Sequence, residues 1–316
     1  MDVDDDEEEE LMEKKFEEEI KKLNTEIISE NDIVKDVAIG EGGFGKVYKG
    51  KYKDNLVAIK KIKLVEKTPE IFSDLVNEIK ALQAADIPGV PKFYGIFKRK
   101  GNYHLLFEYV CGKTLSEIYP SMNYAQKLIT LYKLSALLET LHSRLLIHRD
   151  IKPSNVMIKE DSSVILIDFG VSKIARHTKT YTMLQKGTVS YMQPEQFQID
   201  LNKYENPDID DVKPVPISTK SDIWSLGVMT SEIFSGVQPY FNIYGGHRPN
   251  DQVIIKRLLN KVPFPIPENL DNDIKNIVQR TTEIDVEKRA TASETKELFQ
   301  KIIEKNKINV ENVKLI

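Results

Sequence analysis

Cysteine is almost missing from this 316-residue chain. Cys111 stands alone, so no internal disulfide can form and a reducing compartment, cytoplasmic or nuclear, is expected. Long apolar runs are missing too. No stretch approaches the ~20 residues that a membrane-spanning helix needs. The five histidines are scattered, and neither CxxC nor HExxH occurs, which argues against a zinc site. The N-terminus is acidic where a signal peptide would be basic. Asp2 excludes N-myristoylation, and the final NVKLI is no prenylation box. No internal repeat is visible.

The hydrophobic share is 41%, which supports a real core in one large domain or two lobes. Charge is uneven. Residues 1–20 hold twelve acids and two lysines, so the remainder is mildly basic. That balance does not establish a nucleic-acid binder. The first ten residues read as disordered by self-repulsion. From Leu11 the apolar stripe Met12, Phe16, Ile20, Leu23 and Ile27 reads as a helix, either solvated or docked on the domain C-terminal to it.

From Ile33 to Lys63 short β-rich runs alternate with Gly or Asp54-Asn55 and predict a three-stranded antiparallel meander. Thr68 to Ala85 predicts a helix with Pro69 in its first turn. Two strands around Gly101-Asn102 come next, and Tyr124 to His142 predicts a long amphipathic helix. A small β-rich half followed by a larger helical half predicts an α+β protein of two lobes with a hinge near 108–112.

GEGGFGKV places Gly40, Gly42 and Gly45 in G-x-G-x-x-G, where glycines let backbone N–H groups approach phosphates. A glycine-rich hairpin turn would look similar. A strand comes after the glycines, so this is not the strand–turn–helix of a dinucleotide fingerprint. VAIK ends at Lys60, which shares a strand face with Ala58. Glu78, in the middle of the next helix, is its expected partner; Glu70 is a weaker one, since acids occur in first turns for the helix dipole. HRDIKPSN brings together Asp150, which can accept a proton, Lys152, which can neutralise a transferring phosphate, and Asn155, which can ligate a metal. Asp168 opens DFG after the apolar run VILI and suits Mg²⁺.

With these residues the chain resembles the eukaryotic protein kinases, serine/threonine class, over roughly residues 33–304. GTVSYMQPE, SDIWSLG and Arg289 in EKRAT extend the resemblance, and the family pairs a glutamate like Glu195 with an arginine like Arg289. Gln193 departs from the family's usual alanine. The resemblance implies a two-lobed kinase fold, with a small β-rich N-lobe carrying one main helix (about 33–107), a hinge at 108–112 and a larger, mostly helical C-lobe (113–304). Residues 1–30 form an acidic tail and amphipathic helix, and 305–316 a C-terminal tail.

It also implies the cofactors ATP and Mg²⁺. Gly40, Glu41, Gly42, Gly43, Phe44, Gly45 and Val47 would cover the phosphates. Lys60 would hold the α/β-phosphates and pair with Glu78. Asp150 would serve as base, helped by Lys152, with Asn155 and Asp168 on Mg²⁺. Val47, Ala58 and Met157 would sandwich adenine, with Glu108 to Val110 supplying backbone hydrogen bonds and Phe107 guarding the pocket behind. Leu82, Phe93, His148 and Phe169 resemble the family's packed column. Lys152 and Thr188 favour Ser/Thr acceptors on protein substrates, with no nucleic acid and no membrane as partner and the oligomeric state left open. A pseudokinase scaffold, a small-molecule kinase of the same fold and an interaction module acting through the tail are the alternatives. The long stretch between Glu195 and Asp222 reads as a surface loop or a docking element. Thr182, then Thr180, is the expected activation-loop phosphosite.

Overall fold

The computed structural model describes residues 5–42, 45–62, 68–168, 189–197, 218–241 and 246–316. They form two compact units, residues 5–111 with 167–168, and residues 112–166 with 189–316.

The first unit is built on a five-stranded antiparallel sheet of order β1-β2-β3-β5-β4. Its strands are β1 (Ile33–Gly42), β2 (Gly45–Tyr52), β3 (Asn55–Lys61), β4 (Phe93–Arg99) and β5 (Asn102–Glu108). The meander expected from the sequence is present, with both turns one residue earlier than read. Tyr52 pairs with Asn55 and Arg99 with Asn102, so the turn residues are Lys53-Asp54 and Lys100-Gly101. Lys53 (φ 52), Lys100 (φ 49) and Gly101 (φ 74) have positive φ. The Lys100-Gly101 turn is thus positive at both central positions, which matches the twist of the flanking strands. Asparagine's turn propensity drew the sequence reading one step too far.

Helix α2 (Pro69–Ala84) starts where expected. The Thr68 hydroxyl caps it by accepting from the Ile71 N–H, and Pro69 fills the first turn, where its missing N–H costs nothing. Helix α1 (Asp5–Lys22) begins earlier than the sequence suggested. The backbone of Asp5 to Glu10 is helical, where the sequence reading expects disorder. The stripe holds for Phe16 and Ile20, both buried. It fails at Ile27, because Asn24 turns left-handed (φ 53) and stops the helix. Ile27 instead forms a β-bridge with Ile96.

The second unit has a small sheet of order β6-β7-β8, made of Lys113–Thr114, Val156–Ile158 and Val164–Leu166. Its helices include α3 (Leu115–Ile118), α4 (Tyr124–Ser143), α5 (Lys220–Ser235), α6 (Asp251–Leu259), α7 (Asn272–Thr281) and α8 (Ala292–Lys305). Asn123 caps α4 reciprocally with Gln126, and α4 buries Leu128, Leu131, Leu134, Leu138 and Leu141 as its pattern requires. Helix α5 is buried from Ser221 to Ile233 and so forms the spine of this unit. The chain end is fastened: Leu315 is buried and its N–H donates to the Ser162 hydroxyl at 3.0 Å. Among the described residues no helix is long and apolar enough to cross a membrane.

Candidate active site

In the first unit the glycine motif sits at a hairpin. Gly40 pairs with Val47, Glu41 with Lys46 and Gly42 with Gly45; Gly43 and Phe44, expected over the phosphates, lie outside the described residues. Val47 pairs with Lys60 and Lys49 with Ala58, while Phe107 opposes Ala58 and Leu105 opposes Lys60. Cross-strand partners share a face. Val47, Lys49, Ala58, Lys60, Leu105 and Phe107 therefore lie on one face, so Lys60 shares a face with Ala58 and Lys61 does not. Lys60 is 4% exposed and Glu78, in α2, 3%. A buried ammonium needs charged partners. One of them is Asp168, whose Oδ1 lies 2.8 Å from Lys60 Nζ. Asp168 is held at φ 62, a backbone conformation uncommon outside glycine and turns. The N–H groups of Glu108 and Tyr109 donate to Lys92 O at 2.8 Å and Leu56 O at 3.2 Å, and Val110 is buried. Leu82 is buried as well. Phe169 lies outside the described residues.

In the second unit Pro153 opens a single 3-10 turn, Pro153–Asn155, which keeps the loop from becoming helix. The turn folds Asn155 back onto Asp150. Asn155 Nδ2 donates to the Asp150 carbonyl and to its Oδ2, each at 2.8 Å. Lys152 Nζ lies 2.7 Å from the same Oδ2. With both N–H bonds of its amide spent on Asp150, Asn155 has Oδ1 left as a hard acceptor, the donor chemistry Mg²⁺ prefers. Met157 lies in β7, paired with Ile165.

The sequence reading assigned no role to Asp222. Its carboxylate, fully buried, accepts from the His148 N–H (2.9 Å), the Arg149 N–H (2.8 Å) and His142 Nε2 (2.9 Å). Burial pushes this carboxyl upward, but the hydrogen bond and charge of His142, the charge of His148 and the backbone donor overcome it, leaving the group below its ordinary value. The loop start is thereby pinned to α5, with Arg149 at φ 71. A signal was available, since Asp222 immediately precedes the apolar run IWSLGVM. His148, fully buried, receives the Asp150 N–H on Nδ1 at 3.3 Å.

Arg289 makes the expected pair with Glu195, at 2.5 Å through Nη2, and also donates to Glu283 O (2.8 Å) and Lys220 O (3.1 Å). Its guanidinium lies 5.1 Å from the Trp224 ring centre. Gln193, the departure from the family pattern, is buried, and its amide donates to Gln196 Oε1 at 3.3 Å. The Glu195 pair forms despite it. The expected phosphosites Thr180 and Thr182, with Thr188, and the stretch 198–217 lie outside the described residues.

The second unit thus holds a carboxylate fixed by an amide and a lysine on a loop tied to a buried acid, and the first a glycine hairpin and a buried strand lysine, groups of the kinds that phosphoryl transfer uses. The chain belongs to the protein kinase domain family, whose model matches residues 33–299. It is 31% identical over 271 residues to mitogen-activated protein kinase kinase 7 of Arabidopsis thaliana, covering 84% of each chain. It is 32% identical over 269 residues to serine/threonine-protein kinase dst2 of Dictyostelium discoideum, covering 81% of this chain and 21% of that one. MAP3K epsilon protein kinase 1 of Brassica napus is 28% identical over 261 residues, covering 80% of this chain and 18% of the relative. The chain thus spans about a fifth of two of these relatives and most of the third. By these relatives it falls in the serine/threonine class.

Proposed function

We propose that this chain transfers the γ-phosphate of MgATP to Ser or Thr hydroxyls of protein substrates. The observation that carries this reading is Asp150 Oδ2, fixed at 2.7–2.8 Å by Lys152 and Asn155. Asp150 orients the acceptor hydroxyl and takes its proton; Lys152 offsets the charge that develops on the transferring group. Asn155 Oδ1 and the Asp168 carboxylate are the groups that would hold Mg²⁺, which neutralises phosphate charge when bound. Lys60, kept in place by Glu78, binds the α/β-phosphates. Val47, Ala58 and Met157 enclose adenine. Because the N–H groups of Glu108 and Tyr109 are engaged within the sheet unit, the Val110 backbone carries the donor bond to the base. Residues 33–304 form the catalytic domain under this reading, preceded by the segment 1–30 and followed by 305–316.

Control by activation-loop phosphorylation belongs to the same reading. Its support is Arg149, whose Nε is buried and has no hydrogen-bond partner among the described residues. A phosphate at Thr182 or Thr180 would supply an anion for it.

The test is phosphorylation of a degenerate peptide library by the purified chain, alongside Asp150→Asn. Transfer to Ser/Thr peptides should fall about 10³-fold in the variant, within the range that general-base catalysis contributes. Wild-type protein without transfer, or a variant that retains it, refutes the reading. Phosphatase treatment of active protein should lower activity severalfold; full activity without phosphate refutes the regulatory part alone.

A further inference from the structure

Residues 5–32 precede the span that the kinase family matches, yet they are built into the first unit. Helix α2 is buried on more than one face: Ile71, Phe72, Leu75, Val76, Ile79 and Leu82, and also Asp74 and Glu78. A helix lying on a sheet normally buries one stripe. Part of the extra cover is α1. The Phe16 ring lies 5.1 Å from Phe72 of α2 and 5.0 Å from Tyr103 of β5, and those two lie 6.2 Å apart. These three rings join α1, α2 and the sheet in one wedge. One turn on, Ile20 is fully buried. At the far end of α2, Gln83 Nε2 donates to Leu23 O and Thr25 Oγ1, each at 2.9 Å.

The chain then runs along β4, the edge strand. The Ile28 N–H donates to Ile96 O at 2.9 Å and the Ile96 N–H to Glu26 O at 3.0 Å. Gly95 permits this approach, because a Cβ there would lie 2.2 Å from Glu26 O. Ile28 completes an apolar cluster with Val57, Ile59, Phe97 and Leu106. Glu26 accepts from the Tyr52 hydroxyl at 2.5 Å, and Glu30 pairs with Arg99 at 2.8 Å.

We propose that this N-terminal segment sets the position of α2 on the sheet, making Phe16, Ile20 and Gln83 positioning residues for Glu78 and, through it, Lys60. The inference rests on the phosphotransfer reading above. Van der Waals wedging of this kind acts at short range, and small displacements of a binding group cost large factors in rate.

The test uses the full chain in five forms: wild type, Phe16→Ala with Ile20→Ala, Phe16→Leu, Gln83→Ala, and Ile303→Ala as a control. Ile303 is buried in α8 of the other unit, so the control loses stability away from α2. The readouts are melting temperature, kcat, KM for ATP and amide hydrogen exchange across residues 71–84. The double variant should speed α2 exchange and lower kcat, each by about tenfold, with a smaller change in KM. Phe16→Leu should recover most of kcat. Gln83→Ala, which leaves the core intact, should shift both readouts in the same direction and carries the test if the double variant does not fold. Ile303→Ala should leave α2 exchange and kcat as in wild type. Unchanged α2 exchange in an active enzyme, or a kcat loss no larger than the control's, overturns the inference alone. Faster α2 exchange in a chain whose wild type transfers no phosphate overturns the kinase reading and the catalytic half of this inference with it.

Discussion

The two units hold their charged groups in different ways. In the second, Asp150 sits on a short loop whose start is pinned by hydrogen bonds to one buried carboxylate, Asp222, and whose end folds back through Asn155. In the first, Glu78 is carried by a whole helix, against which the Phe16 ring packs from a segment outside the family span. Hydrogen bonds to a buried carboxylate are directional and fail completely when the acceptor is lost. Packing degrades by degrees. The second unit should therefore respond to single substitutions abruptly, and the first gradually.

Asp222→Ala should give the largest effect. It strands the His148 and Arg149 N–H groups and an imidazole, and we expect about 3–5 kcal/mol of lost stability together with near-complete loss of transfer. Denaturant unfolding and kcat check this; a folded variant with half of wild-type activity would break the comparison. Arg289→Ala should cost about as much in stability, about 3–5 kcal/mol, because the partly buried Glu195 loses its partner. Its effect on activity should be smaller, because Arg289 touches none of the proposed reacting groups. Phe16→Ala should cost about 3 kcal/mol while retaining measurable turnover. A loss of kcat as steep as that of Asp222→Ala would show that the first unit is no more graded than the second.

The smallest effect is a pH slope. His104 is buried and stacks on Phe97 with ring centres 4.7 Å apart. Burial lowers its pKa, the Asn102 carbonyl partly opposes this, and Lys35, Lys61 and Arg99 lower it further, so that it moves from 6.5 to about 4. The folded state therefore resists a proton that the unfolded chain accepts. This contribution is level above the unfolded value, and stability falls as pH drops from there toward about 4. Melting temperature should decline between about pH 7.5 and about pH 5 with a slope that His104→Phe reduces. An identical slope in the variant would rule out His104 as its source.

Much of this was legible in the sequence. The β-rich half, the helical half and the face shared by Ala58 and Lys60 were readable from local pattern, whereas the Glu195–Arg289 pair, 94 residues apart, was expected only from the family resemblance. Strand alternation, helix periodicity and motif spacing are properties of neighbours along the chain, and a local pattern is enough to express them. The turns at Lys53-Asp54 and Lys100-Gly101 were misplaced by one residue, because either of two adjacent positions could satisfy the composition and only cross-strand register chose between them. Helix α1 was readable as an amphipathic stripe, but not whether that stripe was solvated or docked. Docking depended on Phe72 and Tyr103, more than fifty residues away, presenting rings where Phe16 arrives. Asp222 was visible as an acid at the edge of an apolar run, and its meaning came only from the two backbone N–H groups that the fold delivers to it. Residue order alone set which chemical groups this protein owns and the elements that carry them. The three-dimensional fold selected which of those groups meet, because hydrogen bonds and ring contacts act over a few ångströms in space and take no account of distance along the chain.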